Sequence, residues 1–269
     1  MQTITLSIKG HIGELLLCGP KKGNPLGPKF FDELPTAMAE LNADHNVRVI
    51  LLRSQGPDFC FGLDLLEAMT ELGPLLNNPG AAERLQFKEL IQRWQRSLAT
   101  VAESTKPVIA VVQGRCIGGG LDLISACDIR LASKDATISL RETRVAMTAD
   151  IGSLQRLPYI IGQGATRELA YTGADIDAEH ALRIGLVNHI YKDHDALLES
   201  ARAMATQIAN NSPLAVQGSK AVLDYCVDKS IEDGLNYVAV WNSAFLVSED
   251  LSEAFGAFMQ KRPAKYTGR

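Results

Sequence analysis

Three acidic side chains and one run of glycines are the residues best suited to chemistry. Asp122 follows three consecutive glycines in GGGLDL, residues 118 to 123. Glu142 and Asp150 come twenty and eight residues further on, in SLRETRV and AMTADIGSLQRLP. A glycine run gives up backbone stability, and a carboxylate among apolar neighbours must be hydrogen-bonded, paired or protonated to be tolerated. One arrangement accounts for both costs. Free N–H groups at a helix start attract an anion or a developing oxyanion, and glycine lets that atom approach closely. Acids beside a carbonyl polarised in this way would perform proton transfer. Each acid also has a purely structural reading. Asp122 could cap a helix, Glu142 could pair with Arg141 or Arg144, and Asp150 could cap the helix beginning near Gly152. A nucleotide loop fits poorly, because GRCIGGGLD lacks the Lys-Ser/Thr ending of a P-loop and does not match GxGxxG at the first strand of a chain.

These residues must be positioned by strands and helices that the pattern already marks. ITLSIKGHIGELLLC alternates around a Lys-Gly turn and reads as a hairpin, followed by the Pro/Gly-rich loop GPKKGNPLGPK. Helical spacing covers 30 to 43 and 82 to 103, and VRVILLRS and PVIAVVQG read as buried strands. DIRLAS and ATISL are shorter strand candidates, and from 163 onward the pattern is mainly helical. VRVILLRS and PVIAVVQG each lead through a glycine-containing turn into the same tetrapeptide, GLDL, at 62 to 65 and 120 to 123. If the two units stack like turns of a coil, their helix starts lie side by side with backbone N–H groups converging.

The bulk properties narrow the partners. The chain has 269 residues, 46% hydrophobic and 22% charged, which suits one sizeable domain plus an appendage. With 27 basic and 31 acidic side chains the net charge is -4, so the balance favours neither nucleic acid nor an anionic membrane. The five cysteines form no CxxC pair and read as reduced core thiols, and no metal site is expected. The N-terminus has no basic or apolar leader pattern, so the expected location is cytoplasmic.

The motifs FCFGLDL at 59 to 65, KPVIAVVQGRCIGGGLDLISACDIRLAS at 106 to 133, the Glu142 segment, GSLQRLP, GADIDAEHALRIGLVNHI and the FMQKRP tail together resemble the crotonase (enoyl-CoA hydratase/isomerase) superfamily. The resemblance implies an α/β fold, a spiral of repeated ββα units over 1–196 with a C-terminal helical trimerisation domain over 197–269. It also implies homotrimers that pair into hexamers, and an acyl-CoA thioester as substrate, with CoA belonging to the substrate and no separate cofactor. By motif position, the backbone N–H groups of Leu63 and Gly119 form the oxyanion hole. Gly62, Asp64, Leu65 and Leu66 line the substrate, and Phe258 and Lys261 of a neighbouring subunit reach CoA.

Hydratases of the superfamily carry two glutamates, whereas this chain has Asp122 at the first position and an additional acid, Asp150. The set Asp122, Glu142, Asp150 resembles the Δ3,5-Δ2,4-dienoyl-CoA isomerases, which act in fatty acid β-oxidation. That chemistry takes a proton from C2 and returns one to C6, positions about 5 Å apart, beyond the roughly 2.6–3.2 Å reach of one fixed carboxylate. The expected roles are Glu142 at C2, Asp150 at C6, and Asp122 as a hydrogen-bonding partner that tunes Glu142. The alternatives are an enoyl-CoA hydratase or a dehalogenase-like relative. Phe59, Phe61, Leu66, Met69 and Trp94 are candidates for the acyl pocket and equally for the core.

Overall fold

The computed structural model describes residues 1–77 and 79–269. Strands β1 (Ile4–Lys9) and β2 (Ile12–Leu17) form the expected hairpin, turning at Gly10. Then come α1 (Pro28–Ala43), β3 (Val49–Ser54), α2 (Leu65–Leu76), α3 (Ala81–Ala102), β4 (Val108–Val112), β5 (Arg115–Ile117), α4 (Gly119–Ser125), β6 (Ile129–Ser133) and β7 (Thr137–Ser139). A 3-10 turn over Glu142–Val145 precedes α5 (Ser153–Thr172), β8 (Asp175–Asp177), α6 (Ala178–Arg183), β9 (His189–Tyr191) and α7 (His194–Ala209). Helices α8 (Pro213–Tyr225), α9 (Ile231–Phe245) and α10 (Glu249–Gln260) complete the chain.

The large sheet has the order β1-β2-β3-β4-β6-β9 and is parallel from β2 onward; the small sheet is β5-β7-β8. Strands β4 and β6 enter the large sheet, while β5 and β7, which follow them directly, enter the small one. The chain therefore steps from the large sheet to the small one before α4 and again before α5, and the first step brings the end of β5 and the start of α4 beside the loop that precedes α2. Apolar side chains fill both faces of the large sheet, as its continuous Val/Ile/Leu runs require of a parallel sheet. One face packs on α1 and α3 through Leu34, Met38, Leu98 and Val101. The other packs on α7, whose Leu197, Ala201 and Ala205 meet Val49, Leu51, Ile109 and Leu131.

Two expectations need correction. The boundary expected at 196/197 falls inside α7, and the contacts just described make that helix one of the layers of the sheet. Its small Ala residues allow it to lie close to the strands, while its helical sequence alone resembles that of α8–α10. The mainly helical reading after 163 also missed β8 and β9. Each has only three residues, and β9 (His-Ile-Tyr) is recruited by pairing with β6 rather than by a pattern of its own.

Candidate active site

The segment before α2 and the start of α4 meet edge to edge. Cys60 pairs with Cys116 and Leu26 with Leu63 as isolated bridges. Leu26 uses the C=O of Gly62 and the N–H of Asp64, so the N–H of Leu63 points the other way. Gly62 has φ 88° and a Cβ there would stand 2.9 Å from the Ile117 carbonyl, so only glycine fits this crossing. A Cβ on Gly119 would lie 3.5 Å from Leu63 N, which measures how closely the two loops approach. Among the described residues neither the Leu63 N–H nor the Gly119 N–H has a protein acceptor. Two unspent donors at one spot suit a developing oxyanion.

These amides open on a cavity of about 170 Å³. Phe61, Leu72, Phe87, Ile91, Trp94 and Val145 supply apolar wall, and the polar groups are the two loops, Arg141, Thr148, Glu142 and Asp150. Glu142 sits at the start of the 3-10 turn, its Oε1 3.1 Å from where a Cβ on Gly118 would stand. Its Oε2 is buried and has no partner among the described residues. Arg141 pairs with Asp175 and Arg144 donates to the Thr172 carbonyl, so neither arginine neutralises Glu142 as the structural reading had it. Burial, with Asp122 and Asp150 as nearby like charges, pushes the Glu142 carboxyl up to about 7. Asp150 is the most open of the three acids, and burial by neighbouring protein raises it as well. It does not cap α5, whose N-cap residue is Gly152 and offers no side chain. Its carbonyl is held by Gln95 of α3, whose Nε2 donates at 2.6 Å.

Asp122 does not line the cavity. It is completely buried behind it, and Oδ1 accepts the N–H of Ser153 at 2.6 Å, so a residue of α4 caps the first amide of α5. Its Oδ2 has no partner among the described residues. Burial pushes this carboxyl up to about 6, against the Ser153 amide and the Arg156 guanidinium, which favour the anion.

The structure thus gathers Gly62, Leu63, Leu65, Gly119, Glu142 and Asp150 around one cavity. Asp64 and Leu66, expected beside the substrate, do not line this cavity. Asp64 caps α2 through the Glu67 amide and pairs with Lys21 at 2.5 Å, while Leu66 points to solvent. Phe258, on α10, and Lys261, its C-cap, do not line the cavity of their own chain. Of the acyl-pocket candidates Phe61 and Trp94 line the cavity, Phe59 is core, and Met69 is exposed. Phe87 and Ile91 were missed, although their spacing with Trp94 puts all three on one face of α3. Periodicity identifies such a face without telling whether a core or a cavity lies against it. Among the described residues no cluster of three His, Cys, Asp or Glu side chains is placed to hold a metal ion. No described helix is long and apolar enough to cross a membrane.

This fold and site define a class. The enoyl-CoA hydratase/isomerase family model matches residues 7–269, and the chain belongs to that family. Among solved structures it superposes on an enoyl-CoA hydratase from Bacillus anthracis with a TM-score of 0.90, at 30% identity over 100% of both chains. Particular relatives are closer in sequence. The chain is 44% identical to the mitochondrial Delta(3,5)-Delta(2,4)-dienoyl-CoA isomerase of Dictyostelium discoideum, over 93% of this chain and 86% of that protein. It is 39% identical to the peroxisomal Delta(3,5)-Delta(2,4)-dienoyl-CoA isomerase of Arabidopsis thaliana, over 99% and 96%. The names of these relatives give compartments other than the cytoplasm expected from the sequence.

Proposed function

We propose that the protein is a Δ3,5-Δ2,4-dienoyl-CoA isomerase. The observation that carries this reading is the presence of two acids, Glu142 and Asp150, on the wall of one largely apolar cavity that also contains the unspent Leu63 and Gly119 amides. The likeness to relatives of that name supports it. The thioester oxygen takes the two N–H groups, which stabilise negative charge as it forms. Glu142 removes a proton from C2, the charge spreads over the conjugated dienolate, and Asp150 delivers a proton to C6. A carboxyl that titrates near neutrality suits the first step, because it accepts a proton and releases it again without a large penalty either way. Asp122, one layer behind, sets the charge that Glu142 experiences. The extra acid distinguishes this chemistry from hydration, in which both acids serve one water at C2 and C3.

The same proposal includes assembly as a homotrimer or a pair of trimers. Helices α9 and α10 leave Ile231, Leu235, Val240, Phe255 and Phe258 exposed, large apolar side chains of the kind that contacts between protein chains cover. In such an assembly Phe258 and Lys261 would reach the CoA of a neighbouring copy. Offering purified protein 3,5-dienoyl-CoA and 2-enoyl-CoA in parallel tests the function. Formation of the conjugated 2,4-diene, followed by its absorbance, is expected; hydration of 2-enoyl-CoA with no diene formed would replace this reading with a hydratase.

A further inference from the structure

Three buried side-chain atoms without a protein partner among the described residues share one neighbourhood, Asp122 Oδ2, Glu142 Oε2 and Arg156 Nη1, with the Ser153 hydroxyl close enough to Asp122 to favour its anion. Isolated buried polar atoms are costly, so a cluster of them calls for a reason. Arg156 reaches the cluster from α5. It lines a second cleft, of about 460 Å³, with Gln95, Arg96, Gly152 and Asp150, so that Asp150 is shared by this cleft and the acyl cavity. The guanidinium lies against the backbone of Gly152, where φ is 136° and a Cβ would collide with Nη1. The next residue, Ser153, gives its N–H to Asp122. Arg156 and Asp122 therefore approach the Gly152–Ser153 turn from its two sides, near enough for their charges to interact but without a direct ion pair between them.

We propose that Arg156 is a positioning residue for the proton transfer: it holds Asp122 as an anion, and through that anion governs whether Glu142 carries the proton. This deepens the isomerase reading and rests on Glu142 being the base of that reaction. The surrounding charges fit a relay rather than a direct effect. Arg156 faces Asp122 from α4, Cys127 just after it and Glu103 at the end of α3, with Arg96 in the same cleft. Asp122 faces Arg156 and Asp150, and the deeply buried Cys60 and Cys116 thiols, which burial keeps neutral. Glu142 faces Asp122 and Asp150. Arg156 is thus the cation acting on Asp122, and Asp122 is the neighbour that acts most on Glu142.

The relay has a signature that neither a direct field nor a packing role produces. Without the cation Asp122 keeps its proton to higher pH. Glu142, relieved of a neighbouring negative charge, then ionises at lower pH. Carboxyl-labelled protein can be titrated by NMR, with resonances assigned by their loss in Asp122→Asn and Glu142→Gln. In Arg156→Gln the Asp122 midpoint should rise by about one pH unit while that of Glu142 falls, and Arg156→Lys should restore both. A rise in both midpoints would mean that Arg156 acts on Glu142 directly, and unmoved midpoints in a folded variant would leave it a packing residue; either result overturns the proposal. If Arg156→Gln does not fold, the reciprocal experiment keeps Arg156. Its guanidinium nitrogen resonances should shift with the Asp122 midpoint in the unaltered protein and lose that dependence in Asp122→Asn. A dependence that persists there would also overturn the proposal. None of these readouts needs substrate, so a failure to isomerise dienoyl-CoA would count against the function and not against this charge relay.

Discussion

Glu14 and Asp122 are both almost completely removed from solvent, yet the protein treats them in opposite ways. Glu14, on β2, accepts Arg53 Nε at 2.8 Å on one oxygen and Arg202 Nε at 2.9 Å on the other. Burial pushes its carboxyl up, but the two guanidiniums outweigh burial and hold it below the usual range. Asp122 has one backbone N–H and a bare second oxygen, and burial lifts it to about 6. Glu142, in front of it, has no charge partner and rises to about 7. The first arrangement fixes a permanent anion and ties β2, β3 and α7 together. The second leaves protons free to move near neutral pH, which is the property a proton-transfer site needs.

Exchanging the acid for its amide in each region separates the two treatments most strongly. Glu142→Gln should lower isomerisation by about 10²–10⁴-fold, the range for loss of a general acid–base group, with little change in unfolding midpoint. Glu14→Gln should do the reverse. It leaves two arginines facing an uncharged amide and should cost on the order of 3 kcal/mol in chemical denaturation, with activity of the folded fraction within a few-fold. Equal effects of the two substitutions on rate would erase the distinction.

Asp122→Asn sharpens the contrast through pH. A carboxyl whose folded pKa lies above its unfolded value favours the folded state at low pH. That stabilisation is lost as pH rises from the unfolded pKa, near 4, through the folded value of about 6. Two units correspond to about 3 kcal/mol. The unaltered protein should therefore lose stability across this window through Asp122, and Asp122→Asn should flatten the loss and be the more stable at pH 8. Glu14, held low, contributes in the opposite sense, with stability lost as pH falls. Denaturation curves taken from pH 4 to 8 would measure the Asp122 slope, and their extension below pH 4.5, the ordinary glutamate value, would measure that of Glu14.

A smaller effect is expected at Asp64, the other acid of the GLDL repeat. Asp64→Ala removes the cap of α2 and the partner of the exposed Lys21, and should cost about 1 kcal/mol without moving the pH dependence of the reaction.

The repeat also shows how far the sequence can be read. GLDL occurs twice, and the expectation that the two loops meet agrees with the Gly62–Gly119 approach, because the glycines and the preceding buried strands constrain it locally. The fates of the two aspartates are not local. Asp64 falls one residue before its helix and becomes a cap, whereas Asp122 falls inside α4 and meets Ser153 from a segment 31 residues away. Glu142 and Asp150 were legible as acids in segments poor in carboxylates, but only the tertiary structure frees Glu142 by giving Arg141 to Asp175. The cavity wall on α3 was legible as an apolar face and nothing more. Arg156 lies inside the GSLQRLP motif that supports the family resemblance, but its role was not legible there, since one arginine in QRLP reads as ordinary surface charge until Gly152 and the end of α4 fold around it.

The central claim is that Glu142 and Asp150 serve opposite ends of one conjugated chain. Deuterium incorporation from heavy water at C2 and C6 of the substrate, followed by mass spectrometry and NMR in Glu142→Gln and Asp150→Asn, tests it most directly. Glu142→Gln should suppress exchange at C2. Asp150→Asn should leave C2 exchange running, because Glu142 and the Leu63 and Gly119 amides remain, and should abolish delivery to C6. Loss of C2 exchange in Asp150→Asn with C2 exchange intact in Glu142→Gln would contradict the assignment and reverse the two roles.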